Sequence, residues 1–104
     1  MNLSAVEAEK FLRENKDTMI IDVRTLPEFA EGHIKDAILL DMTDSDFQDK
    51  IKELSRDDKY FIYCRSGSRS SYVIDMMKQL GFKEIYHLEY GLIEWQSEKF
   101  RIER

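Results

Sequence analysis

Apolar positions recur along the chain with two alternating periods. Ser4-Ala5-Val6-Glu7 opens the first segment with a serine followed three positions later by glutamate. In that capping box the hydroxyl and the carboxylate satisfy free amides at a helix start. The helix is predicted to run to about Asn15 and to bury Ala5, Ala8 and Leu12. Met19-Ile20-Ile21-Asp22-Val23 is an apolar run of strand length, ended by Leu26-Pro27, where proline withdraws a backbone donor. Ala37-Ile38-Leu39-Leu40 predicts a second short strand. Thr43 or Asp44 is expected to cap the next helix, whose apolar residues Phe47, Ile51 and Leu54 follow i, i+4, i+7.

Tyr60-Phe61-Ile62-Tyr63-Cys64 is the third strand and the richest in β-formers. After a polar loop comes the most regular helical pattern, Val73, Met76, Met77 and Leu80 at i, i+3, i+4, i+7, closed by Gly81. Glu84 to Leu88 reads as a fourth strand, and Leu92 to about Glu98 as a final helix carrying Trp95. Strands separated by helices, with runs apolar on both faces, predict an α/β chain: a mainly parallel central sheet covered by helices on both sides. No internal repeat, low-complexity tract or linker interrupts the pattern. One domain spanning residues 1–104 is expected, since two independent cores would need a longer chain.

Composition narrows the function classes. Sixteen Lys plus Arg against twenty-one Asp plus Glu give a formal charge of −5, which argues against non-specific binding to nucleic acid or anionic lipid. No apolar run approaches the roughly 18 residues of a membrane span. Met1-Asn2-Leu3-Ser4, followed by Glu7, Glu9 and Lys10, lacks the cationic start and apolar middle of a signal peptide, so the expected location is cytoplasmic. Cys64 is the only cysteine, which excludes an intrachain disulfide and a self-contained dithiol redox cycle. With only His33 and His87 beside it, a structural zinc site is not expected.

The chemistry concentrates in one loop. Ligands of parallel α/β sheets bind beyond the carboxyl ends of the strands. There the segment Tyr63-Cys64-Arg65-Ser66-Gly67-Ser68-Arg69-Ser70-Ser71 holds the lone cysteine, two arginines, four serines and a glycine. From Lys59 to Ile74 there are three cations and no carboxylate, a local reversal of the overall charge. Gly67 permits a tight turn whose N–H groups point inward, and the following helix adds its free amides and the positive end of its dipole. Helix N-termini and nearby cations lower a cysteine pKa from ~8.5 to roughly 3.5–7.5, so Cys64 is the expected thiolate nucleophile. This expectation needs the amides turned toward the sulfur and the sulfur open to water. The bland readings are a buried apolar cysteine, turn or cap duty for Ser68 and Ser70, and solvated charges for Arg65 and Arg69. The combination is what points to chemistry.

These residues resemble a rhodanese-like domain of the single-domain sulfurtransferase type, over about residues 3 to 98. Ile20-Ile21-Asp22-Val23-Arg24, with Glu28-Phe29 and Gly32-His33-Ile34, resembles the family's first signature. Cys64 to Ser70 is similar to its active-site loop. Leu88, Gly91 and Trp95 resemble its closing segment, with Tyr90 where the family usually has glycine. The resemblance implies a three-layer α/β/α fold with about four to five strands. It also implies thiosulfate sulfurtransferase activity: Cys64 accepts a sulfane sulfur from a small anionic donor such as thiosulfate, becomes a persulfide, and passes it to cyanide or a thiol. Inward amides from Arg65, Ser66, Gly67, Ser68, Arg69 and Ser70 would hold the terminal sulfur, and Arg65, with Arg69, would bind the donor. No metal or organic cofactor is implied. The alternative is a persulfide carrier or regulatory module serving a specific protein acceptor.

Other readings are weaker. Four residues separate Cys64 from Arg69, one fewer than in cysteine phosphatases, and the tighter ring suits one sulfur atom better than a tetrahedral oxyanion. Asp22 and Arg24 read as a structural pair rather than acid–base groups, and His33 as a partly buried residue satisfied locally. His87 reads as an ordinary strand residue, Met76, Met77 and Trp95 as packing, and Asp41, Asp44, Asp46 and Asp49 as a solvated face. No third orienting group for a cysteine hydrolase is identifiable.

Overall fold

Parallel strand pairing organises the chain, whose computed structural model describes residues 1–104. Five strands, β1 (Asn2–Leu3), β2 (Met19–Asp22), β3 (Ile38–Leu39), β4 (Lys59–Tyr63) and β5 (Glu84–Leu88), form one sheet in the order β1-β5-β4-β2-β3. Every pairing is parallel. The helices between them are α1 (Ala5–Glu14), α2 (Leu26–Glu31), α3 (Phe47–Lys52), α4 (Ser68–Gln79) and α5 (Gly91–Ser97).

The central strand explains the three layers. Successive side chains of β4 alternate between faces, and Tyr60, Phe61, Ile62 and Tyr63 have no exposed surface. Tyr60, Ile62 and the following Cys64 pack with Phe47 and Ile51 of α3 and Val73 and Met77 of α4. Phe61 and Tyr63 pack on the opposite face with Ala5 and Ala8 of α1 and Leu92 and Trp95 of α5. A strand buried on both sides reads as an unbroken apolar run, which is why β4 is conspicuous in the sequence. The order also sets the site. From β2 the chain turns outward to β3 and then returns to β4 on the other side of β2, so the loops after β2 and β4 diverge and leave a crevice.

Several local expectations are corrected. β1 was not expected; its two residues are too short for a periodic signal. The α2 helix was also missed, although Thr25 and Glu28 form a second capping box around Pro27. Proline at a first helical turn loses no hydrogen bond, so here it starts a helix, while β2 has already ended at Asp22. Neither Thr43 nor Asp44 caps α3: Asp46 holds that position without a side-chain bond, and Thr43 donates to Asp41 Oδ1 instead. Leu12 is half-buried rather than buried, packing at the edge of the α1–α5 cluster.

The structural readings of Asp22, Arg24 and His33 agree with what is seen. Arg24 donates to both Asp22 oxygens at 2.7–3.0 Å and to Gly32 O at 2.6 Å, with both side chains buried. His33 stacks on Phe29 with ring centres 3.9 Å apart, and its Nδ1 lies 3.0 Å from Phe29 O. No helix is long and apolar enough to cross a membrane.

Candidate active site

Cys64 is the first residue beyond β4 and faces α4, because side chains alternate along the strand. Gly67 stands at the N-cap of α4 with φ +108°, a left-handed conformation that glycine adopts without strain. A Cβ there would sit 2.0 Å from Glu89 O, so the position is closed sterically as well. The turn bends the loop back over the sulfur. Gly67 N donates to Cys64 Sγ at 3.1 Å and Ser70 N at 3.4 Å, while Ser70 Oγ lies 3.2 Å away.

The carbonyls of Cys64 and Arg65 point the other way. Leu92 N donates to Cys64 O at 2.9 Å and Ile93 N to Arg65 O at 3.0 Å. The first turn of α5 thus spends its free amides on the back of the loop, which leaves the loop's own N–H groups for the inside. Gly91, at φ +71°, makes this contact possible: a Cβ there would lie 2.2 Å from Arg65 O and 2.5 Å from Ser66 N. Tyr90, by contrast, has an ordinary φ of −104° and an exposed side chain, so glycine is not needed at that position.

The electrostatics of the thiol is a balance. Burial pushes the Cys64 pKa up, but hydrogen bonds from the Ser70 hydroxyl and the amides of Ser70, Gly67 and Ser66 outweigh it and bring it below the ordinary value. The amides of Gly67 and Ser70 turn inward onto the sulfur, as expected. The expectation of an open sulfur does not hold: Cys64 has 0% of its surface exposed. Arg65, Ser66 and Ser68 lie exposed on the rim above it.

The two arginines have separated. Arg69 of α4 is bound end-on by Glu28 of α2, at 2.8 and 2.9 Å. That hydrogen bonding, against the opposing pull of burial, holds the Glu28 carboxyl down at about 2. The expectation of a free Arg69 at the donor site is thus corrected: its charge is taken up in tying α2 to the loop helix. Arg65 has no such partner. It lines a cavity of about 510 Å³ together with Arg24 and Arg104, the carboxylates Glu28 and Glu31, Gly32, Gln96, and the apolar Leu92 and Ile93.

Ser68 and Ser70 do not cap α4 as the bland reading had it, since Gly67 is the N-cap and no side chain bonds there. Ser70 is wholly buried and its hydroxyl also approaches His87 Nε2 at 2.6 Å. His87, read from the sequence as an ordinary strand residue, is therefore part of the site. Residues 70 and 87 meet only because β5 pairs with β4 beneath α4, a long-range contact without a sequence signature. Burial pushes the His87 pKa down to about 4, with the ammonium groups of Met1 and Lys78 acting in the same direction. No cluster of His, Cys, Asp or Glu is arranged to hold a metal.

The chain is similar to known proteins. The sequence pattern of the rhodanese-like domain matches residues 4–98. A protein named as a sulfurtransferase from Allochromatium vinosum is 34% identical over 84 residues, covering 81% of this chain and 77% of that one. YtwF of Bacillus subtilis, whose name marks it as a candidate sulfurtransferase, is 32% identical over 96 residues, 92% of this chain and 90% of its own. The crystal structure of a rhodanese-related protein from Thermoplasma volcanium superimposes with a TM-score of 0.83 at 31% identity, covering 98% of this chain and 96% of that one.

Proposed function

Since the chain belongs to the rhodanese-like domain family, whose pattern it carries across residues 4–98, we propose that it transfers a sulfane sulfur from thiosulfate to cyanide or a thiol through a persulfide on Cys64. The observation that carries this reading is the convergence of two main-chain amides and one hydroxyl on a single sulfur. A cradle of N–H donors favours an anion at its centre and leaves room for few atoms.

In the first half-reaction the Cys64 thiolate attacks the outer sulfur of thiosulfate. A sulfur–sulfur bond forms at Cys64, the bond to the sulfonate sulfur breaks, and sulfite leaves with the electron pair. The product is a persulfide whose terminal sulfur is anionic, and the amides of Gly67 and Ser70, which donate to Sγ at rest, would stabilise that charge. In the second, cyanide or a thiolate attacks that terminal sulfur and Cys64 departs as thiolate. No proton is consumed once the thiolate is formed. Arg65, exposed and unpaired, draws the dianionic donor to the rim and offsets the charge on departing sulfite. Because the sulfur is covered at rest, donor entry requires that cover to open. Arg69, held by Glu28, fixes the helix that supplies the Ser70 donors.

Intact-protein mass after mixing with thiosulfate tests the reading. The expected result is a gain of one sulfur atom, removed by cyanide and absent in Cys64→Ser. Sustained thiocyanate production identifies a stand-alone enzyme. Stoichiometric loading without turnover, relieved by a protein acceptor, identifies the carrier form of the same chemistry. An unchanged mass overturns both.

A further inference from the structure

The Ser70 hydroxyl has one hydrogen and three neighbours within reach: Cys64 Sγ at 3.2 Å, Gly67 O at 3.2 Å and His87 Nε2 at 2.6 Å. On the far side of the imidazole, Nδ1 lies 3.1 Å from Asn2 Oδ1, in register with β1. Cys64, Ser70 and His87 are all buried, at 0, 0 and 3% exposure, so none of these groups can satisfy itself with bulk water.

Counting hydrogens along this line constrains it. An Asn2 carbonyl oxygen accepts, so Nδ1 carries a hydrogen. In the neutral ring Nε2 is then bare and takes the Ser70 hydrogen. Ser70 Oγ consequently presents a lone pair to the sulfur, which suits a thiol S–H and repels a thiolate. A thiolate needs the reverse arrangement, with the Ser70 hydrogen on the sulfur and a hydrogen on Nε2. If the bond to Asn2 is kept, Nε2 takes the hydrogen Ser70 was donating, and the hydrogen that leaves Cys64 replaces it on Oγ.

We propose that His87 is a positioning residue for Cys64: acting through the Ser70 hydroxyl, it takes up the thiol proton and yields a thiolate–imidazolium pair bridged by one serine. The Ser70 hydroxyl proton passes to Nε2 as the thiol proton passes to Oγ: the S–H bond and the old Oγ–H bond break, the Nε2–H bond and a new Oγ–H bond form, and the new Oγ–H points at the sulfur. The three groups keep their net charge, so the buried site ionises without adding an uncompensated anion. The inference deepens the nucleophile reading above but does not depend on which sulfur donor is used.

Every charged group facing His87 makes the pair detectable. Lys78 on α4 and the Met1 ammonium beside β1 both oppose an imidazolium, and burial acts in the same direction. The Cys64 thiolate is the one facing group that favours it. Coupled groups share their titration. The His87 midpoint should therefore depend on the chemical state of a sulfur it does not touch.

The experiment follows the His87 ring nitrogens by ¹⁵N NMR across pH in the wild-type protein, in Cys64→Ala and in Ser70→Ala. Wild-type protein carboxamidomethylated at Cys64 serves as a second sulfur-blocked form in which no side chain is replaced. The expected result is a His87 midpoint well below the ordinary 6.5 in both blocked forms, where burial and the Met1 and Lys78 ammonium groups act with no thiolate to oppose them. With the free sulfur it lies near or above neutrality, roughly three pH units or more higher, because an imidazolium paired with the thiolate must still hold its proton there. Ser70→Ala should abolish that dependence, and Ser70→Thr should restore it. Identical His87 titrations with free and blocked sulfur overturn the proposal, as does a dependence that survives Ser70→Ala. Neither result bears on persulfide loading by mass, so failure of the relay and failure of the sulfur-transfer reading are distinguishable.

Discussion

Gly91→Ala is expected to damage the site from behind, without touching a group that meets substrate. The added Cβ would lie 2.2 Å from Arg65 O and 2.5 Å from Ser66 N, against an ordinary contact of 3.4 Å or more. The loop must therefore retreat by more than 1 Å. Retreat stretches the bonds from Leu92 N to Cys64 O and from Ile93 N to Arg65 O. Each such bond contributes about 1 kcal/mol. The φ of +71° adds a left-handed penalty of about 1–2 kcal/mol for alanine. The summed cost is about 3–4 kcal/mol, a large part of the margin of a small domain. Urea unfolding at neutral pH measures it. The functional loss should go further than the stability loss, because an error of about 1 Å in a reacting group costs on the order of a hundredfold in rate. Sulfur transfer measured well below the unfolding transition should therefore fall about a hundredfold. A Gly91→Ala protein with wild-type stability and turnover would refute the claim that the β5–α5 turn braces the loop.

Arg65→Ala should lower kcat/KM for thiosulfate by roughly 10- to 100-fold, the worth of a charge-assisted contact, while urea unfolding shifts by no more than about 0.5 kcal/mol, as for an exposed residue. Unchanged thiosulfate kinetics would remove Arg65 from donor binding. Glu28→Gln should destabilise the protein at neutral pH by about 1 kcal/mol, allowing for the partial exposure of the pair. The folded Glu28 pKa, at about 2, lies below its ordinary 4.5. Its contribution is therefore present above about 4.5 and lost as pH falls toward 2. The difference between wild type and Glu28→Gln in urea unfolding should close over that window. A gap that persists at acid pH would show that the Arg69 contact acts through packing and not charge.

How far the site was legible depended on how far apart its parts lie along the chain. Local features came through: the Ser4–Glu7 box, the β4 run, the cysteine at its carboxyl end (placed as the last strand residue and found one position beyond it), and the glycine that turns the loop. Each is a pattern within a few residues, set by steric and hydrogen-bonding rules that act locally. The pairings of Arg69 with Glu28 and of Ser70 with His87 are long-range, 41 and 17 residues apart, and are fixed only when the sheet order is known. The sequence places Arg65 and Arg69 in one cationic loop, whereas folding neutralises the second with a carboxylate from α2. Burial of Cys64 was equally hidden, because the loop that supplies its donors also covers it. The α2 helix was legible in principle, since Thr25-x-x-Glu28 repeats the signal that was recognised at Ser4. Proline at its start drew the reading toward a break instead.

The central claim is that the main-chain amides and the Ser70 hydroxyl hold Cys64 as an anion, and iodoacetamide alkylation followed across pH tests it most directly. The apparent pKa of Cys64 in the native protein is predicted to fall below the ~8.5 of a free cysteine, with the urea-unfolded chain returning to that value. A native value at or above that of the unfolded chain would contradict the account.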